Sequence, residues 1–416
     1  MRSRKLVAVV SPLLLGLAVL TGCGDNGDGD SAKPIESAAG GLSGEPIKIG
    51  QIAPTENAVY NTPDYIAVAR AAVRGVNSRG GVNGRPLELV YCNDAFDPNK
   101  AAACARRLVD EGVVATVKSI IPQGGAQVSS ILQEAGIPSV GLGALVPAEY
   151  QAPTSYLLDG GLSYPYAAAM IGAAEQGAKK VYLVTTDNAS AGPFLAAMEA
   201  GARKLGMEVV GQQKLPVTTA DYAPLVAAIQ RSGADSALVA LAQQGVVQSL
   251  RTADQNGVEA KWLLNSGTLT PEDYSELGSS VVENILHGSS VLPLAEADNN
   301  PQVKLMKEDL EAELAAGDED ADQKKLFGTS LLAWPSVVAV AELLKTAPTV
   351  DAAGLRTALD EARDLDLGVV PPWTPSASVS KASPRVSSAI VYLVKVEDGE
   401  PVLALPDPVD VSKILG

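Results

Sequence analysis

The stretch "IKIGQIAPTENAVYNTPDYIAVARAAVRGVNSRGGVNGRPLELVYCND" (Ile47–Asp94) decides the fold. It opens on a short apolar strand pattern, "IKIGQIAP". A helix with apolar residues at helical spacing follows, "PDYIAVARAAVRGVNSRGG", and then a second strand, "PLELVYCND". Strand, helix and parallel strand in this order form a crossover unit, which needs helices on both faces of the sheet.

The pattern continues through "DPNKAAACARRLVDEG" as a helix and "VVATVKSI" as a strand. Asp97 is placed to cap that helix with Pro98 in its first turn, and Gly80, Gly81 and Gly112 mark helix ends. Near Lys179 the same order restarts: "KKVYLVTTD", "GPFLAAMEAGARKLG", "MEVVGQQKL", "ADYAPLVAAIQRSG" and "ADSALVALA" read strand, helix, strand, helix, strand. A repeated unit predicts two similar α/β lobes with parallel sheets, and a length of 416 residues suits two lobes. Further strand patterns, "KWLLNSGTL" and "ILHGSSVLPL", precede a long helix pattern, "LFGTSLLAWPSVVAVAELLKTA". A Pro- and Ser-rich connection, "VVPPWTPSASVSKASPR", leads to the terminal strand pair "SSAIVYLVKVEDGEPVLAL". The charged run "EDLEAELAAGDEDADQKKL" reads as a solvated face rather than a metal site.

The N-terminus sets the compartment. "MRSRK" is basic, "LVAVVSPLLLGLAVL" is apolar, and "LTGC" puts small residues directly before Cys23, the arrangement of an export signal. The following "GDNGDGDSAKP" is charged and glycine-rich and reads as a tether. A net charge of −16 disfavours nucleic acid as a partner. His287 is the single histidine, which excludes a histidine-based triad with a spare base and any histidine-rich zinc site. No serine sits in a G-x-S-x-G turn, and no phosphate-binding glycine motif follows a strand, so the chain is read as a non-enzyme without cofactor or metal. Of the three cysteines, Cys92 and Cys104 remain once Cys23 is assigned to the terminus; two thiols are too few for a structural zinc site and too far apart for a C-x-x-C redox pair. In an exported protein a structural disulfide is the leading reading.

"LTGC" resembles the lipobox of bacterial lipoproteins, which implies lipidation of Cys23. The phrases "NSRGGVNGRPL" (Asn77–Leu87), "DAFDPNKA" (Asp94–Ala101), "EAGIPSVG" and "LRTADQNGVEAKWL" resemble the solute-binding proteins of ABC importers, specifically the branched-chain amino acid and amide binding family. The likeness runs from Ile47 to the C-terminus and is looser after Lys304. It implies a type I periplasmic-binding fold of two Rossmann-like lobes joined by crossing hinge strands. The expected division is a signal peptide over 1–22, a tether over 23–45, first-lobe segments over 46–158 and 291–370, and second-lobe segments over 159–290 and 371–416. It further implies a monomer, lipid-anchored outside the cytoplasm, that closes on a small molecule and meets ABC permease subunits. The alternative role is a ligand-binding sensor of the same fold acting with a receptor.

Ligands of open α/β sheets lie beyond the carboxyl ends of the strands, so the loops there are the candidate site. Carrying the family pocket over residue by residue, Tyr60 matches an aromatic wall. Pro122, with Gln123 beside it, falls where amino acid binders carry a carboxylate-binding serine. Gly143, Ala144 and Leu145 fall where backbone groups and a hydroxyl are used. In the second lobe Asn188, Ser190, Gln243 and Ser266 complete the set, with Ser266 where an acid normally pairs with an ammonium. A buried ammonium without a carboxylate costs several kcal/mol, on the order of the penalty for an unpaired buried ion. The expected ligand is therefore neutral, apolar, or of amide or aromatic type rather than a free α-amino acid.

Overall fold

The computed structural model describes residues 41–188 and 190–415; the basic start, the apolar run, Cys23 and the tether to residue 40 lie outside the described residues. Strands β1 (Ile47–Ala53), β2 (Leu87–Asn93), β3 (Thr116–Val117), β4 (Ser139–Val140) and β5 (Ser155–Tyr156) form one parallel sheet in the order β2-β1-β3-β4-β5. Strands β6 (Lys180–Thr186), β7 (Glu208–Leu215), β8 (Ser236–Ala240), β9 (Lys261–Asn265) and β10 (Ile285–Ser289) form a second, in the order β7-β6-β8-β9-β10. The two orders are the same doubly-wound pattern, as the repeated sequence unit predicts. The second sheet is extended by β11 (Ile390–Glu397), antiparallel to β10, by β12 (Glu400–Leu403), which closes a hairpin with β11, and by β13 (Val409–Asp410). Both faces of each sheet are covered, which is why the central strands are apolar throughout rather than alternating.

Close packing explains a glycine on β1: a Cβ at Gly50 would stand 2.7 Å from Leu108 Cδ1 on the helix Pro98–Asp110. That helix begins as its sequence dictates, with Asp97 accepting from the amides of Asn99 and Lys100 and Pro98 at the first turn. It is tied to the end of β2 by the Cys92–Cys104 disulfide, with Cα atoms 5.6 Å apart. The long helix pattern from Leu326 is shorter than its apolar run: the helix spans Ala333–Thr346, preceded by a 3-10 turn at Ser330–Leu332. Pro335 accounts for this, since it fits only within the first turn of a helix.

The chain crosses between the sheets three times: after β5, after β10 and before β11. Helices Pro301–Ala315 and Ala333–Thr346 pack on the first-lobe helix Pro63–Ser78, and Ala352–Glu361 packs on Ala333–Thr346. The connection before β11 also stays on the first lobe, where Trp373 Nε1 donates to the Leu157 carbonyl at 3.0 Å and Ser387 Oγ to the same oxygen at 2.9 Å. The returning helices are fixed at Asp309. Its carboxylate takes a bidentate pair from Arg79, at 2.7 and 2.9 Å, and a third bond from Trp334 Nε1 at 2.8 Å. The carboxylate lies against the backbone of Gly75, where a Cβ would come within 2.1 Å of it.

Two outcomes follow from these contacts. Replacing Cys92 and Cys104 by alanine is expected to lower stability by about 3 kcal/mol, the chain-entropy cost of opening a short loop; free thiols in the non-reduced, denatured parent would show that the bridge does not form. Asp309→Ala strands the Arg79 charge and the Trp334 N–H and is expected to cost about 2–4 kcal/mol in a denaturant titration, far more than a surface substitution.

Candidate functional site

In each lobe the strand order reverses at one place, between β1 and β3 in the first and between β6 and β8 in the second, and ligands of such sheets lie beyond those strand ends. At the first reversal Lys118 follows β3 directly and takes a left-handed backbone conformation, φ 33°. Its side chain is 2% exposed, its ammonium stands 3.8 Å from Asp159 Oδ2, and it lies over the Tyr65 ring at 5.6 Å. Burial lowers its pKa, with the Asp159 carboxylate opposing that shift. Gln51 on β1 completes the floor, donating to the carbonyls of Tyr65 and Lys118 while its Oε1 has no partner among the described residues.

Asp64 enters from the first turn of the helix Pro63–Ser78 and is buried. Burial pushes its carboxyl up to about 7, against hydrogen bonding from the Ser330 side and from nearby backbone amides, and its Oδ2 has no partner among the described residues. Burial first, and Asp64 second, push the Tyr60 hydroxyl up to about 12. Tyr65 reaches across to Thr329, hydroxyl to hydroxyl at 2.9 Å.

The sequence candidates are distributed as follows. Tyr60 is half-buried and stacks on Phe96, ring centres 6.2 Å apart. The loop carrying Phe96 is held by Asn93, whose Oδ1 accepts from the amides of Thr55 and Ala95. Pro122 is half-buried and Gln123 exposed, both at the turn before the helix Gly125–Glu134. Gly143 is bound by its amide to the Ser119 carbonyl at 2.8 Å, and Ala144 is packed in the core. Leu145 is 41% exposed, and its amide, with that of Val146, is already taken by the Glu149 carboxylate at 2.6 and 3.0 Å. Asn188 and Ser190 are exposed and bond each other, and exposed Gln243 bonds Asp273 at 2.7 Å.

Ser266 differs from the rest. It follows β9, where the lobes touch: the Gly328 amide donates to the Ser266 carbonyl at 2.7 Å, and a Cβ at Gly267 would meet Thr329 Oγ1 at 2.6 Å. Its own hydroxyl is buried and has no partner among the described residues. Beside it opens a cavity of about 490 Å³, and of the sequence candidates only Ser266 lines it. Lys118, Asp64, Asp159, Tyr65 and Gln51 were not singled out by sequence reasoning. A lysine inside the apolar run "VVATVKSI" is the one signal that pointed to them.

Residues 46–400 match the periplasmic binding protein family. An amino acid binding protein of Pseudomonas aeruginosa is 26% identical over 217 residues, covering 50% of this chain and 57% of that protein. A leucine-specific-binding protein of Salmonella typhimurium is 26% identical over 254 residues, covering 59% of this chain and 66% of the relative. These matches therefore span about three-fifths of the curated relatives' length. Among solved structures, a fatty acid ABC transporter substrate-binding protein from Thermomonospora curvata superposes with a TM-score of 0.71 at 19% identity, covering 90% of this chain and 95% of the other. An ABC transporter solute-binding protein from R. palustris in complex with 4-hydroxybenzoate gives 0.70 at 21%, covering 88% and 97%. The overall fold is the type I periplasmic-binding fold that the sequence phrases imply.

The raised Asp64 carboxyl makes stability depend on pH. The folded chain holds this proton more tightly than the unfolded one, so the stability it contributes is complete below about pH 4 and is lost as pH rises through about 7. Asp64→Asn removes the charge, and the melting temperature of the variant relative to the parent is expected to rise by a few degrees between pH 5 and pH 8. A difference that stays constant with pH would show an ordinary carboxylate.

Proposed function

Because this chain belongs to the periplasmic binding protein family, we propose that it is the extracytoplasmic solute-binding component of an ABC importer. It captures a small molecule between its lobes and presents the closed form to the permease subunits. The observation that carries this reading is the pairing of two sheets of the same strand order through three connecting segments. Such a joint permits hinge closure, and ligand contacts made by both lobes select the closed state. The chain binds without turnover, acts as a monomer, and is held to the membrane by a lipid on Cys23 after removal of the leader.

The proposed contacts are Tyr60, Pro122, Gln123, Gly143, Ala144 and Leu145 from the first lobe, and Asn188, Ser190, Gln243 and Ser266 from the second. Lys118 and Asp159 form an ion pair at the same strand ends, 3.8 Å apart. No carboxylate stands at Ser266 to pair an ammonium, which favours a neutral, apolar, amide or aromatic solute over a free α-amino acid. A fold neighbour holding 4-hydroxybenzoate is consistent with an aromatic solute, whereas the relatives named for leucine bind the class set aside here.

A thermal-shift panel of branched-chain amino acids, amides, aromatic acids and medium-chain acids tests this, since a ligand of the folded form raises the melting temperature. A rise is expected with at least one amide, aromatic or aliphatic compound and none with leucine, isoleucine or valine, and Tyr60→Ala is expected to weaken the ligand found by roughly tenfold. Stabilisation by the branched-chain amino acids alone would overturn the ligand class.

A further inference from the structure

The lining of the cavity beside Ser266 includes none of the other candidate contacts at the strand ends. Its walls come from the second lobe at Leu269, Tyr274 and His287, from the connection after β10 at Val291 and Leu292, and from the returning first-lobe segment at Leu326 and Leu331. Those aliphatic side chains are all buried. At about 490 Å³ the chamber lies in the size range of small-molecule pockets.

The buried polar side chains of its lining are uncharged. His287 Nδ1 lies 3.2 Å from the Asn265 carbonyl, which only accepts, so Nδ1 carries the proton. Nε2 then accepts from the Tyr274 hydroxyl at 2.8 Å, which leaves the phenolic oxygen as an acceptor. Burial holds the His287 pKa down to about 4, so the ring stays neutral through the physiological range. The buried Ser266 hydroxyl adds a donor and acceptor that nothing among the described residues satisfies. An unsatisfied buried hydroxyl is costly, and a polar group entering the chamber relieves that cost. The charged lining residues, Lys307, Asp322, Lys324 and Glu400, are half-buried or exposed and of balanced sign.

We propose that this hinge-side chamber is a binding site for an apolar small molecule with one neutral hydrogen-bonding end, an amide, carbonyl or hydroxyl, seated at Ser266 with its hydrocarbon body among the aliphatic walls. A carboxylate at the inner end would face no cation, and an ammonium no anion. Because both lobes and a connecting segment form the walls, occupancy fixes the angle between the lobes. The chamber shares Ser266 with the proposed strand-end contacts and none of the others.

Isothermal titration of the full mature chain with octanamide, and with octanoate as its charged counterpart, tests it. Octanamide is expected to bind one to one and at least tenfold tighter than octanoate at pH 7.5. Ser266→Ala is expected to weaken it about tenfold. Leu314→Trp, which enlarges a partly exposed residue of the lining, is expected to abolish binding, and Leu314→Phe serves if tryptophan is not accommodated by circular dichroism. Absence of octanamide binding, or octanoate binding as tightly, overturns the proposal. Loss of binding in Tyr60→Ala with none in Leu314→Trp also overturns it and moves the compound to the strand-end loops, leaving the proposed function intact.

Discussion

Arg79 and Asp309 lie 230 residues apart, yet the fork between them closes the first lobe. The sheet of β1 to β5 ends at Tyr156, but the helices that cover one of its faces arrive only after the chain has built most of the second lobe. The helix Pro63–Ser78 packs on β1 and β2, and its further apolar surface is covered by Pro301–Ala315 and Ala333–Thr346 when they return. Aliphatic packing is adaptable and does not alone fix their register. A carboxylate with three donors does so, because a helix shifted along its axis would strand a charge. Gly75 allows the approach by having no side chain at the point of contact.

The lobes were legible in the sequence because buried parallel strands are continuous apolar runs and their helices begin at readable caps, as Asp97 and Pro98 do. Strand β3 was read within "VVATVKSI", but the shortness of β3, β4 and β5 was not. Each is two residues long, and β5 lies within "APTSYLL", a stretch with no strand signature of its own. The disulfide was legible through compartment and cysteine count. What decides the crossings was not, since nothing local to Trp373 says that its indole bonds Leu157 on a far strand.

The sequence points to the loops beyond the strand ends, and the residues that meet at the first reversal of strand order come from separate elements: Gln51 on β1, Asp64 at a helix start, Lys118 after β3 and Asp159 after β5. Their adjacency is created by the strand order, and each has a bland local explanation. Asp64 reads as an ordinary first-turn acid, for example, and only burial reveals its raised carboxyl. Conversely, Leu145 looked like a source of a free amide because nothing in its own sequence shows that Glu149, four residues on, already occupies it.

The contact between Gly328 and Ser266 joins the lobes through main chain alone, and it sets a scale for how firmly they are held. A hydrogen bond that water can replace on opening is worth only about 0.5–1.5 kcal/mol. Taken alone, that is a bias of roughly two- to twelvefold between touching and separated lobes, since 1.4 kcal/mol is a factor of ten. A bias that small is readily reversed, so the balance belongs to whatever else spans the gap. Gly328 and Gly267 act as a doorstop rather than a bolt: they define how near the lobes come and leave the decision to stay there to a guest.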